Sequence, residues 1–481
     1  MDPHDGTGRT GKGGTLFFRQ YSLDCLSLFS YMVGDTATGR AVVVDPQRDI
    51  GEYLADAAAN GLRIERVIET HFHADFLSGH LELAEATRSV ISYGEAAVAD
   101  FPIDPLSHGQ RISLGEVTLE IRHTPGHTPE SISIVVFENP DAGPWAVLTG
   151  DALFVGDVGR PDLLTSVGRT ADSLARDLYR SLHTQLMTLP DDTLVYPSHG
   201  AGSACGKNLS AAVSSTIGEQ RATNYAVAPM TEDQFVDAVT EGQSVAPLYF
   251  AFAADANRRE RGLLDELETP DQLTIDAALS LRGSGAVLID TRNSESFASG
   301  HLLGAINVGL EGRFAEYAGD VVRPGQRVIL LGDDDGTEGK IRLARIGFDD
   351  VMGAVSGIEA VLVEHPELAE SASRLPAVEV AQWVADDPSV QLLDVRNPSE
   401  IEAEGSIPGS ENIPLPQLLD HLDGLDRTRT VVVYCAGGYR SAIAASTLKA
   451  HGFGRVADII GGYGAWRTAT QEAALVVGLN N

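Results

Sequence analysis

Lysine is almost missing from this 481-residue chain: Lys12, Lys207, Lys340 and Lys449 are the four there are, and even with arginine 35 basic residues face 68 acidic ones. A surface of that sign repels nucleic-acid phosphates and anionic lipid headgroups, so neither is expected as a partner. Cysteine is scarcer still. Cys25, Cys205 and Cys435 are odd in number and far apart, which argues against a disulfide framework and for a reducing compartment, the cytoplasm. No apolar run approaches the ~20 residues that span a bilayer. Met1 to Gly14 has no apolar centre, so residues 1–15 read as a flexible tail and not as a targeting segment.

What the chain does have is length enough for about three domains, at ~100–200 residues each. From Leu16 onward, short apolar runs alternate with helical stretches, an α/β pattern. Within it lies Thr70-His71-Phe72-His73-Ala74-Asp75-Phe76, in which two imidazoles and a carboxylate alternate. A strand ending at Glu69 and a helix starting after Asp75 would aim several of these donors at one ion. Further on, His123-Thr124-Pro125-Gly126-His127-Thr128-Pro129 holds His127 between two prolines, so its backbone is set in advance, as a ligand requires. Thr149-Gly150-Asp151 places a carboxylate at a strand end, and Tyr196-Pro197-Ser198-His199 places another imidazole there.

Taken in order, this series resembles the metallo-β-lactamase fold, an αββα sandwich with the metal at one rim, over residues 16–263. Most members resemble two-metal hydrolases whose motif reads His-x-His-x-Asp-His. Here Phe76 stands at the last position and offers no donor, which points to one metal. The Thr-Pro-Gly-His-Thr-Pro and Thr-Gly-Asp-Ala-Leu contexts resemble the persulfide dioxygenases of that fold. The resemblance implies one Fe(II) per chain held by His71, His127 and Asp151, with His73, Asp75 and His199 hydrogen-bonded around it. It implies Arg160 as the anchor for the carboxylate of a glutathione-like thiol. The implied reaction is oxidation of a thiol persulfide by O₂ to sulfite and free thiol. Cys205, shortly after His199, reads either as a sulfur acceptor at the metal mouth or as a small buried residue.

The second half repeats itself. Ile289-Asp290-Thr291-Arg292-Asn293 matches Leu393-Asp394-Val395-Arg396-Asn397, and the Gly300 and Gly405 segments match likewise. The period of about 105 residues means a duplicated domain, not a solenoid unit. A linker, Leu264 to Pro270, precedes two compact α/β copies at residues 271–370 and 376–475. In the second copy, Val431-Val432-Val433-Tyr434 runs into Cys435-Ala436-Gly437-Gly438-Tyr439-Arg440 at the mouth of a helix. There, backbone N–H groups and the helix end would stabilise a thiolate or persulfide, the two glycines would supply the loop's dihedrals, and Arg440 would add positive charge. This resembles the rhodanese family of sulfurtransferases, which implies Cys435 as the persulfide carrier and Asp394 and Arg396 as structural. The first copy has Gly332-Asp333-Asp334-Asp335-Gly336 in that place and reads as catalytically silent.

The expectation is therefore an α/β multidomain enzyme for sulfide detoxification, in which sulfite from the metal site and sulfane sulfur on Cys435 form or consume thiosulfate. Self-association into a homo-oligomer is compatible with it and not required. The alternatives are a thioester hydrolase resembling glyoxalase II, with two zinc ions, and a non-catalytic sulfur carrier built around Cys435.

Overall fold

The structure, a computed structural model, describes residues 9–10, 14–163, 168–387 and 389–479, except the side chains of 9–10 and 472–479. Most of the tail expected over residues 1–15 lies outside the described residues. Within it, Arg9–Thr10 forms a short strand paired with Phe17 and Phe18. By contacts the chain divides into two units, Met1–Gln243 with Phe250–Glu266, and Ser244–Tyr249 with Leu267–Asn481. Among the described residues no helix is long and apolar enough to cross a membrane.

The first unit is built on two sheets. One has seven strands in chain order from Arg9–Thr10 to Asp104–Leu106; the other has six, ordered Ser215–Thr216, Leu194–Pro197, Ala146–Gly150, Ile132–Phe137, Thr118–His123, Arg111–Ser113. Strand Ile132–Phe137 shows why its sequence is apolar throughout. Ile132, Ile134 and Val136 enter the core shared with Phe18, Tyr31 and Val42 of the other sheet, while Val135 and Phe137 turn outward to Ala175, Leu178 and Leu182. That outer helix, Ala171–Ser181, is capped by Thr170, whose side chain accepts from the Ser173 backbone N–H. Parallel pairing brings the ends of Arg40–Val44 and Arg63–Ile68 to one edge, and parallel pairing of Ala146–Gly150 with Leu194–Pro197 does the same in the second sheet. The chemistry-bearing loops leave from these strand ends.

The second unit contains the duplicated fold. Each copy has a parallel sheet, four strands in the order Ile306–Asn307, Val287–Asp290, Val328–Gly332, Val351–Ser356, then five in the order Ser373–Pro376, Val456–Ile460, Val431–Tyr434, Gln391–Asp394, Glu411–Asn412. The copies share a buried ion pair in detail. Arg292 donates to both oxygens of Asp290 at 3.0 and 2.6 Å and to the Gly300 carbonyl at 2.9 Å. Arg396 donates to both oxygens of Asp394 at 3.0 and 2.7 Å and to the Gly405 carbonyl at 2.7 Å. Asn307 and Asn412 close each motif through the carbonyls of the Asp and the Arg.

Arg396 is fully buried, so Asp394→Ala leaves its charge without water and with only the half-exposed Glu404, 3.7 Å away, as an ion-pair partner, and is expected to destabilise by about 3–5 kcal/mol. Two of the chain's three tryptophans, Trp383 and Trp466, pack on the same core and report its unfolding in urea by fluorescence. An unshifted midpoint would contradict a structural role for the pair.

Candidate metal centre and sulfur-transfer loop

The loop after strand Arg63–Ile68 is held by buried polar groups from distant parts of the first unit. Asp45, a non-glycine residue in the left-handed region at φ 51°, accepts from the Thr70 backbone at 2.7 Å, the Thr70 hydroxyl at 2.8 Å and the Ser198 hydroxyl at 2.9 Å. Glu130 accepts from Phe72 N at 3.1 Å. Asn257 donates to the carbonyls of His73 and Phe76 at 2.8 Å and accepts from Ser78 N at 2.9 Å. The next helix spans His80–Thr87, close to the helix expected near Leu81 to Thr87, and Phe76 to Gly79 form a loop before it. Carbonyls that would open an earlier turn are committed to Asn257, and Gly79 is pressed against the Gln47 carbonyl too closely for any Cβ.

His71, His127 and His199 are each anchored through Nδ1. Thr70 Oγ1 gives its proton to Asp45 and so accepts from His71 Nδ1 at 3.0 Å; His127 Nδ1 donates to the Arg160 carbonyl at 2.8 Å, and His199 Nδ1 to the Ser27 carbonyl at 3.2 Å. All three therefore present Nε2 lone pairs. His127 Nε2 is 3.5 Å and His71 Nε2 3.9 Å from Asp151 Oδ2, and His199 Nε2 is 3.5 Å from Asp151 Oδ1. His71 Nε2, His199 Nε2 and both Asp151 oxygens are buried without a hydrogen-bond partner, which in a folded core is costly unless a cation takes them. Burial, and then the neighbouring histidines, push His71 well below the usual histidine range, so it is neutral, the form a ligand needs. The donor set fits a metal ion: ligand atoms of His71, His127 and Asp151 all lie within 4.8 Å of one another.

Two glycines make the arrangement possible. Gly126, at φ 154°, passes so close to the outer helix that a Cβ would sit 2.7 Å from Leu178 N. Gly159 lies against the Asp151 carbonyl, and a Cβ there would also come 3.1 Å from His127 Nδ1.

The second unit carries the sulfur loop. Cys435 follows strand Val431–Tyr434, and helix Tyr439–Ala450 begins after Gly438, which sits at φ 103°. The thiol is buried and accepts the Gly438 backbone N–H at 3.1 Å. Gly437 is exposed; Gly438 is the glycine whose N–H meets the sulfur. Arg440 is bidentate to Glu400 at 2.7 and 2.6 Å. Burial opposes its charge, but the bonds to Glu400 outweigh it and hold the guanidinium firmly protonated. In the first copy, pairing aligns Leu331 with Asp290 as Tyr434 aligns with Asp394, so Gly332 occupies the place of Cys435.

Both halves of the chain are similar to known proteins. The family described as metallo-beta-lactamase superfamily matches residues 23–199, and the rhodanese-like domain family matches residues 274–362 and again 377–469. The chain is 31% identical over 255 residues to the persulfide dioxygenase ETHE1, mitochondrial, of Homo sapiens, covering 52% of this chain and 91% of that one. The chain is a metallo-β-lactamase–rhodanese fusion. A crystal structure of a metallo-beta-lactamase from Staphylococcus aureus is similar to 71% of the fusion and 99% of its own length, at 32% identity and a TM-score of 0.65. A cytoplasmic hydroxyacylglutathione hydrolase of Arabidopsis thaliana is 32% identical over 173 residues, covering 36% of the fusion and 63% of the hydrolase.

Not every residue singled out in the sequence sits in the fusion as expected. His73 turns toward Asp45 and Glu69, with Nε2 3.1 and 3.4 Å from their oxygens, and the Phe76 ring lies tilted against its ring with centroids 4.3 Å apart. His73 also forms a buried group with Asp75 and His199, whose ligand atoms lie within 4.8 Å of one another. Cys205 is buried, and its sulfur lies within 4.8 Å of donor atoms of Asp151 and His199; burial, then Asp75 and Asp151, push the thiol well up. Arg160 departs most. Arg160 is 3% exposed and its guanidinium is gripped by Asp162 at 2.6 and 2.8 Å, so it is not open to a substrate carboxylate; its backbone instead ties His127 to the Cys205 segment.

The cation that does line a cavity beside His127 is Arg258, lying over the Phe72 ring at 4.8 Å. That cavity, about 450 Å³, is walled by Phe72, Leu163, Phe250 and Phe252. Arg258, Asp45 and Asn257 were not singled out in the sequence, since each acts on residues far away in the chain.

Proposed function

We propose that the fusion oxidises a low-molecular-weight thiol persulfide with O₂ at one Fe(II) held by His71, His127 and Asp151, and moves sulfane sulfur through Cys435. The observation that carries this is the convergence of His71, His127 and Asp151, with the ligand atoms of His71 and Asp151 buried and without a hydrogen-bond partner, beside a cavity that reaches His127. Kinship with a protein named persulfide dioxygenase supports the same substrate class. Fe(II) bound there would supply redox chemistry with O₂ and a site for a soft sulfur anion. The chain supplies the rest. Carbonyls at Arg160 and Ser27 fix the tautomers of His127 and His199. Phe72, Phe250 and Phe252 exclude water and pack on the thiol carrier, and Arg258, not the sequestered Arg160, takes its carboxylate. Sulfite is the species common to both reactions: the Cys435 persulfide can give its outer sulfur to sulfite, forming thiosulfate and leaving the cysteine thiolate, and the reverse is equally balanced.

Anaerobic reconstitution with Fe(II), followed by oxygen uptake with glutathione persulfide, tests the reading. One iron per chain and oxygen-dependent sulfite are expected. The group His73, Asp75 and His199 favours the rival, a dinuclear thioester hydrolase. Two zinc ions per chain with thioester cleavage and no oxygen uptake would establish that rival. Neither activity, with Cys435 still carrying sulfur, would leave a sulfur carrier.

A further inference from the structure

The loop that carries Cys435 is held at its two ends by different parts of the second unit. At its start, the carbonyls of Cys435 and Ala436 accept from the backbone N–H groups of Tyr463 and Gly464 at 2.7 and 3.1 Å. In its middle, Gly437 is exposed, and even a Cβ there would meet nothing within 4 Å. At its end, Gly438 gives its N–H to the sulfur at 3.1 Å, and helix Tyr439–Ala450 begins without a side-chain cap. What fixes that end lies in the first copy. The Tyr439 hydroxyl donates to the Gly309 carbonyl at 3.0 Å and shares its proton with the Glu311 carbonyl at 3.2 Å, while its ring meets Tyr317 edge-on with centroids 5.4 Å apart.

The carbonyls that receive this hydroxyl are themselves anchored. Leu310, between them, donates its N–H to the Thr291 carbonyl at 2.9 Å and accepts from Arg342 at 2.6 Å; Val308 N–H meets the Asp290 carbonyl at 3.0 Å. The strand end that carries the buried Asp290–Arg292 pair therefore also holds the segment that holds Tyr439. The copies meet again on the same helix about two turns on, where Asn307 N–H donates to Ser446 Oγ at 3.0 Å.

We propose that Tyr439 is a positioning residue through which the first copy, whose own loop has no nucleophile, sets the Cys435 loop. The proposal rests on Cys435 as the sulfur carrier and gives the first copy a part in the transfer. With its hydroxyl held, Tyr439 restrains the Gly437–Gly438 peptide, which two glycines would otherwise leave free to turn its N–H off the sulfur. A donor kept on the sulfur stabilises the thiolate over the thiol, so Cys435 attacks sulfane sulfur at lower pH. Burial, and then Tyr317, push the Tyr439 hydroxyl well up, so it keeps its proton and donates across the range tested. The other groups around the pair are Arg440, held by Glu400, then Glu311, Glu316 and Arg342 of the first copy, and Ser441 Oγ, 3.7 Å from the sulfur. Tyr439→Phe removes none of them and keeps the ring on Tyr317.

The test uses the full chain and two readouts, alkylation of Cys435 by iodoacetamide followed by mass spectrometry, and single-turnover uptake of sulfur from thiosulfate, each across pH. Tyr439→Phe is expected to move the alkylation midpoint up by about one pH unit, to slow both reactions about tenfold near pH 6.5, and to match wild type near pH 9.5, where the thiol is ionised in both. Ser446→Ala, which cuts the other bond between the copies, is expected to keep the wild-type midpoint. A Tyr439→Phe profile like that of wild type, an equal loss at every pH, or the same shift in Ser446→Ala would overturn the proposal. A lower urea midpoint with the pH profile unmoved would likewise reduce Tyr439 to a packing residue. If wild type takes no sulfur from thiosulfate at any pH, the sulfur-carrier reading fails, and the alkylation profile still decides the part of Tyr439.

Discussion

Asp151→Ala is expected to leave the protein without stoichiometric iron and without oxygen consumption, while transfer of sulfur from thiosulfate to cyanide through Cys435 continues at the wild-type rate. Asp151 supplies the only carboxylate of the proposed ligand triad, and each of its oxygens lies 3.5 Å from an imidazole Nε2, His127 for Oδ2 and His199 for Oδ1. Groups that merely orient a metal ligand cost 10- to 100-fold when removed, so loss of the ligand itself should exceed about 100-fold in affinity. Alanine also removes the negative charge that offsets a divalent ion in a buried site, where water cannot substitute well. Elemental analysis and an oxygen electrode read the two losses separately. Iron retained at one per chain with oxygen uptake intact would remove Asp151 from the centre. Sulfur transfer should survive because Cys435 sits on a separate sheet with its own core.

Local chemistry was legible in the sequence to the extent that it is local. His71, His127, Asp151 and His199 each follow or flank a strand visible as an apolar run, and a turn rich in proline or glycine marks where two of them leave it. Parallel pairing then gathers those strand ends, a step that the alternation of runs implies without fixing. The duplicated Asp-x-Arg motif was legible for the same reason, since its ion pair spans two residues. What could not be read was the support. Asn257 bonds residues 179 to 184 positions earlier, and no periodicity encodes that reach. Arg160 and Asp162 stood in plain view, yet whether the guanidinium grips its neighbour or a ligand depends on burial, which the fold decides.

Cys435→Ser is expected to reverse that pattern, abolishing sulfur transfer while iron binding and oxygen uptake persist. The substitution keeps a small side chain at the strand end, and Gly438 N–H can donate to oxygen as it does to sulfur. Folding should therefore be preserved. Chemistry is not, because a seryl oxygen cannot form and release a persulfide, and removing a nucleophile typically costs on the order of 10³-fold or more. The first copy is not expected to stand in. Register places Gly332 where the thiol would be, and a Cβ there would meet Thr291 Oγ1 at 2.6 Å. The following Asp333, Asp334 and Asp335 would repel thiosulfate and sulfite, where the catalytic copy has two glycines and an arginine balanced by Glu400. A transfer assay with thiosulfate, paired with mass spectrometry of the Cys435 peptide, measures the loss. Residual transfer within tenfold of wild type would move the sulfur carrier to Cys205, the other cysteine beside a chemical site, and would tie both activities to the metal centre.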